Sequence, residues 1–231
     1  MAPGEEQDIL IFYHIPKTGG TTVTLLLNPH FSPESICPEL FYYEIESKPF
    51  EYLMNYKFIR GHFFYNSNLQ SIKNAKRICF LRDPVERILS EQRYLEQYHK
   101  HAPQIVFRGH FLPRGNPVYT AINQQCLFLS GHNRYDPKIS SAMHLESAKY
   151  NLENGFFFVG ITEKMDESLE VLYTLFGWDV LPTVPRNNTT IETGTRNPIL
   201  IESIKRRNWA DIELYEFAKK LFEKKRNQVM L

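Results

Sequence analysis

Four short runs of nearly unbroken apolar residues punctuate the chain: "ILIFYHI" at 9–15, "KFIRGHF" at 57–63, "RICFL" at 77–81 and "FFFVGI" at 156–161. Runs this short, rich in Ile, Phe, Tyr and Val, predict strands covered on both faces. Between and after them the apolar spacing turns helical. "DPVERILSEQRYLEQY" opens on Asp83 as a cap, with Pro84 at the first helical position and Glu86 placed to reach back to the cap; Val85, Ile88, Leu89 and Leu95 line one face. Met165, Leu169, Leu172, Leu175 and Phe176 form a second stripe that Gly177 stops. A third helical region, 198–226, begins after Asn197 with Pro198 and carries Leu214, Ala218, Leu221 and Phe222. Strands alternating with helices predict an α/β layer fold with a central, mostly parallel sheet flanked by helices. Segments 28–56 and 96–145, rich in Pro, His, Tyr and Asn, read as long loops or short helices over the rim, where such folds build their sites.

With 231 residues, 42% hydrophobic and 14% aromatic, the chain can bury one substantial core, and 1–231 reads as a single domain. Lys plus Arg (27) nearly balance Asp plus Glu (26), so no global field points to nucleic acid or an anionic membrane; an anionic ligand needs a local site. Cys37, Cys79 and Cys126 are odd in number and far apart, against a zinc site or disulfide framework and in favour of a reducing compartment. The first eight residues, "MAPGEEQD", carry no basic, apolar leader, and no run of 18 apolar residues follows. The expectation is a soluble, cytoplasmic protein without membrane insertion, unless an anchor has been removed.

The first strand leads into Lys17, Thr18, Gly19, Gly20, Thr21 and Thr22, and then into "VTLLL". A helix start leaves free N–H groups and a partial positive charge, glycines admit close approach, and hydroxyls add donors, so the junction predicts a phosphate cradle. It is not a Walker A loop, because Lys17 precedes both glycines. A plain strand-to-helix turn with a solvated lysine is the bland alternative.

"HIPKTGGTT" closely resembles the 5'-phosphosulfate loop of carbohydrate sulfotransferases, in particular the heparan sulfate 2-O- and 6-O-sulfotransferases and their bacterial relatives. "FLRDPVERILSEQRYL" (80–95) resembles the family's 3'-phosphate segment, which makes Arg82 and Ser90 the expected contacts to that phosphate. "ESAKYNLENGFFFVGITEKMDESLEVL" (146–172) and "LYEFAKKLFEKKR" (214–226) are similar to its later strand-helix unit and closing helix. The resemblance covers about half the chain. It implies a P-loop-like three-layer fold and transfer of a sulfuryl group from 3'-phosphoadenosine 5'-phosphosulfate (PAPS) to an acceptor hydroxyl, with no metal required. Lys17 would steady charge on the departing 5'-phosphate. "PRNNTTIETGTR" (185–196) resembles a loop near the nucleotide, with Asn188 and Thr190 as candidate contacts. The structural alternative for Arg82 is an ion pair with Asp83 or Glu86.

The attacking hydroxyl must lose a proton, and histidine is the side chain best matched to neutral pH. His62, in "IRGHFFY", aligns with the "GH" segment that carries the family's base. "RGHF" recurs at 108–111, so His110 is its rival and otherwise a candidate acceptor-binding residue; His14 reads as a buried structural histidine. Segments 28–56 and 96–145 match the family least, and no dense basic stripe suits a polyanionic glycan. The expected partner is a hydroxylated acceptor, a glycan or other small molecule. Other readings are a sulfotransferase for a lipid or secondary metabolite, a nucleotide-dependent kinase, and a non-catalytic nucleotide-binding module.

Overall fold

A computed structural model describes residues 9–101, 106–107, 110–111, 122–178 and 197–230, with backbone alone for 96–101, 106–107 and 110–111. The four apolar runs form one parallel sheet from β1 (Leu10–Tyr13), β2 (Phe58–Gly61), β3 (Lys76–Leu81) and a fourth strand, Phe158–Ile161. In sheet order, β2 lies beside β1, β1 beside β3, and β3 beside Phe158–Ile161. Phe12 faces Arg60 on one side and Ile78 on the other, while Phe80 faces Gly160. Phe12, Phe58, Phe80 and Phe158 are buried, each side chain contributing about 1.5–3 kcal/mol. The chain leaves β1 towards β2 on one side and reaches β3 on the other, so the order reverses beside β1. Ligands of open α/β sheets bind at such a reversal, beyond the strands' carboxyl ends.

Helices flank this sheet, beginning with α1 (Gly20–Leu27), which follows β1 directly. Segment 28–56 holds the short α2 (Tyr42–Glu46) and α3 (Phe50–Leu53), as expected of a rim segment. After β3 comes α4 (Pro84–His101), where Asp83 Oδ1 accepts from the Val85 and Glu86 amides at 2.9 and 3.1 Å, the expected cap. The Asp83 amide donates to Glu163 at 3.2 Å, a partner 80 residues away.

Segment 96–145 contains more than loops. Val106–Phe107 (β4) and His110–Phe111 (β5) form an antiparallel pair, and the sheet strand Phe158–Ile161 becomes β6. Then follow α5 (Gln124–Leu129) and α6 (Ser141–Asn154), the latter capped by Ser140. After β6, α7 (Met165–Phe176) ends at Gly177 in the left-handed conformation, as its stripe predicts. The region 198–226 is two helices rather than one, α8 (Pro198–Arg207), capped by Asn197, and α9 (Trp209–Val229). Asn208 breaks them because its side chain bonds Ile204 O at 2.9 Å and receives the Asn123 amide at 2.9 Å. Helix α9 packs against β6, α5 and α6, and a smaller apolar cluster of Val85, Ile88 and Ile204 joins α4 to α8.

Candidate functional site

The carboxyl ends of all four parallel strands converge on one locus. After β1 the chain turns through Lys17 and Gly19, with φ of 71° and 79°, and enters α1 without a capping side chain at Gly19. Only glycine adopts such a φ freely, so Lys17 holds a conformation costing about 1–2 kcal/mol. Thr18 is fully buried; its Oγ1 donates to Ile15 O at 2.9 Å, and its carbonyl accepts from Thr162 Oγ1, also at 2.9 Å. Thr162 is bonded as well to Leu81 O at 3.0 Å, which ties the turn to β3. Thr21 is exposed and Thr22 half-buried on the first turn of α1. An uncapped helix start preceded by a lysine suits an anion.

The Lys17 ammonium sits 4.3 Å above the Tyr94 ring of α4. Burial holds its pKa below the ordinary lysine value; Glu91 opposes that shift, and the like charges of Arg82, Arg93 and Arg87 add to it. Arg82 Nη1 donates to Lys17 O at 3.2 Å, and Glu163 approaches Arg82 Nε at 3.7 Å. Glu163 is thus an ion-pair partner of Arg82 beyond the Asp83 and Glu86 of the structural alternative. Gln125 fixes the Arg82 backbone from both sides, accepting its N–H at 3.0 Å and donating to its carbonyl at 2.9 Å. Asp211, fully buried, in turn accepts the Gln125 and Cys126 amides at 3.0 and 2.8 Å. Buried guanidinium nitrogens without a hydrogen-bond acceptor among the described residues belong to Arg77 (Nε), at the far end of β3, and, nearer the turn, to Arg82 (Nε), Arg87 (Nε and Nη2, its Nη1 paired with Glu91 at 2.8 Å) and Arg93 (Nε). Such unsatisfied cationic donors fit a multiply charged anion. Ser90 lies one turn before Tyr94 on α4, the spacing that puts both on one face of the helix.

His62 follows β2 directly. Its main-chain N–H donates to Leu40 O at 2.7 Å, and its Nδ1 lies 2.7 Å from the carbonyl oxygen of His14. A carbonyl only accepts, so Nδ1 carries the proton and Nε2 is the basic nitrogen of the neutral ring. The His14 and His62 rings are 4.3 Å apart, and a Cβ added to Gly20 would lie 2.0 Å from the His14 ring. His14 therefore bridges the helix start and His62. Burial, with the neighbouring His62 and Lys17 charges, lowers its pKa to about 3, so it stays neutral, as expected of a structural histidine.

Lys17, Thr18, Gly19, Gly20, Thr21, Thr22, His62 and Arg82 thus occupy one end of the sheet, and Ser90 lies on α4, which starts there. His110 lies in β5, of which the backbone alone is described. Asn188 and Thr190 lie outside the described residues. Sequence reasoning missed Thr162, Glu163, Gln125, Arg93 and Tyr94. Thr162 and Glu163 had a usable signal, since they follow a strand end just as Arg82 does; Gln125 had none.

One edge of the parallel sheet of this α/β fold thus gathers a glycine-bearing turn, arginines and an oriented histidine. The chain belongs to the Sulfotransferase family, whose model matches residues 5–222. Heparan sulfate 2-O-sulfotransferase 1 from Gallus gallus is 24% identical over 205 residues, covering 74% of this chain and 56% of that relative. The protein of the same name from Cricetulus griseus is 24% identical over 204 residues, with the same coverage. The chain thus spans about half the length of the curated relatives it matches, 56%. The crystal structure of a sulfotransferase from Alicyclobacillus acidocaldarius shares the fold, with a TM-score of 0.55 and 15% identity over 94% of this chain and 96% of that one.

Proposed function

We propose that this protein is a PAPS-dependent sulfotransferase acting on a hydroxyl of a carbohydrate or other small acceptor. The observation that carries the reading is the pair of contacts joining three strand ends: His62 Nδ1 on the His14 carbonyl beside the cradle, and Arg82 on the Lys17 carbonyl. PAPS supplies an activated sulfuryl group and a stable bisphosphate leaving group. The cradle of Lys17 to Thr22 binds the 5' end through amides and hydroxyls, and Arg82 with Ser90 holds the 3'-phosphate. His62 Nε2 takes the acceptor's proton, while Lys17 offsets charge on the leaving oxygen. The carbohydrate half of the reading leans on the names of the curated relatives. A cytoplasmic location is part of the same reading, supported by three cysteines that are all free and buried.

The test is a screen of acceptors with isotopically labelled PAPS, read by mass spectrometry, in the wild type, His62→Ala and His110→Ala. His62→Ala should keep nucleotide binding and lose about 10²- to 10⁴-fold in turnover together with the acidic limb of its pH profile. His110→Ala should chiefly raise the acceptor KM. Loss of rate and limb in His110→Ala, with both kept in His62→Ala, moves the base to the middle segment; dependence on magnesium favours a kinase.

A further inference from the structure

Beside His62 stands a row of aromatic rings that the proton transfer does not use. Phe41 stacks on His62 with ring centroids 5.9 Å apart, and Tyr43 lies nearly parallel to Phe41 at 5.8 Å and 4°. The row is open to solvent: Phe41 is 43% exposed, Tyr43 69% and the adjoining Leu40 42%. It is also rigidly built. Phe41 and His62 form a parallel bridge, and Glu44 Oε2 accepts from the Leu40 and Phe41 amides at 2.9 Å each. An exposed ring held in fixed register with a histidine base offers a stacking surface where an acceptor must lie.

The charge around the row selects among acceptors. Segment 39–51 carries Glu39, Glu44, Glu46 and Glu51 against Lys48, and Lys48 is paired with Glu39 at 2.9 Å. Arg60 of β2 turns its guanidinium to Asn28 and the Cys37 carbonyl. Arg134 also stands on this side, its guanidinium 4.4 Å above Phe64, which Tyr42 meets edge-on, but four carboxylates outnumber the two cations, so a sulfated or carboxylated acceptor would meet net like charge, whereas a neutral ring would meet aromatic faces.

We infer that Phe41, extended by Tyr43, is the acceptor-stacking platform, and that the acceptor is a neutral hydroxylated ring rather than a polyanionic glycan. The inference rests on His62 being the base. Stacking on this row holds the acceptor ring beside the His62 imidazole.

The experiment measures steady-state transfer from PAPS to methyl β-glucoside, 2-naphthol and a sulfated heparin tetrasaccharide, in the wild type, Phe41→Ala and Phe41→Trp. Phe41→Ala should raise the KM of the neutral acceptors about tenfold with kcat little changed, the scale of a lost ring contact, and Phe41→Trp should restore it. Preference for the glucoside or the naphthol names the ring, and either supports the platform. An unchanged KM in Phe41→Ala, a collapse of kcat alone, or better use of the heparin tetrasaccharide overturns it. A wild type that binds adenosine 3',5'-bisphosphate and sulfates the tetrasaccharide keeps the functional reading while refuting the platform; one that neither binds the bisphosphate nor turns over fails both.

Discussion

Gly20→Ala is a one-carbon perturbation whose effect follows from geometry. The new Cβ would lie 2.0 Å from Cδ2 and Nε2 of the His14 ring and 2.5 Å from Cε1. Ordinary contact needs about 3.4 Å or more, so the ring or the helix start must move by about 1.4 Å in a close-packed interior. His14 has little room: its ring is 5.6 Å from Phe12 and 4.3 Å from His62. Overpacking of this kind costs about 1–3 kcal/mol. Alanine's helical advantage of up to about 1 kcal/mol over glycine offsets part of that. The net of about 0–2 kcal/mol should lower Tm by up to about 8 °C in a chain this long. Turnover should suffer far more, because the His14 carbonyl orients His62, and a misplacement of about 1 Å costs on the order of 10²-fold. Differential scanning fluorimetry and labelled-donor kinetics on the same preparation check both numbers. Wild-type Tm together with wild-type turnover would refute the contact between His14 and the helix start.

Two further outcomes test the charges. Lys17→Ala should lose about 10²-fold or more in kcat while donor affinity falls much less, since its charge opposes one that develops at the leaving oxygen; a loss confined to donor affinity reduces Lys17 to an anchor. His14 remains neutral in the folded state down to about pH 3, whereas the unfolded chain binds that proton below its ordinary value of about 6.5. Its contribution to stability is therefore full above about pH 6.5 and is lost as pH falls towards 3, at up to about 1.4 kcal/mol per pH unit. Urea midpoints measured from pH 7 to 5 should fall, and His14→Gln should flatten the slope; His144, whose pKa burial also lowers, contributes with the same sign.

What the sequence made legible was whatever local pattern determines. The apolar runs became β1, β2, β3 and β6; Asp83 and Pro84 marked the start of α4, and Gly177 the end of α7. The tight turn from β1 into α1 was readable because two glycines and threonines after an apolar run mark a strand-to-helix junction. What stayed hidden depends on partners remote in the chain. Helix α5 has six residues, follows Asn123 with φ 51° and is held by Asp211, 86 residues away from Gln125. The break between α8 and α9 comes from Asn208 answering Asn123, again across 85 residues. The role of Gln125 at Arg82 follows from that same tertiary network, so no spacing rule reveals it.

The central claim is that the cradle and the arginine cluster form a site for a nucleotide bearing a 3'-phosphate. Isothermal titration of adenosine 3',5'-bisphosphate against adenosine 5'-phosphate, with and without magnesium, in wild type and Arg82→Ala, tests it most directly. A hydrogen bond to a charged group is worth about 1.5–3 kcal/mol, so the bisphosphate should bind at least about tenfold more tightly in the wild type. Magnesium should leave that preference unchanged, and Arg82→Ala should erase most of it. Equal affinity for the two nucleotides, or binding that requires magnesium, would contradict the account.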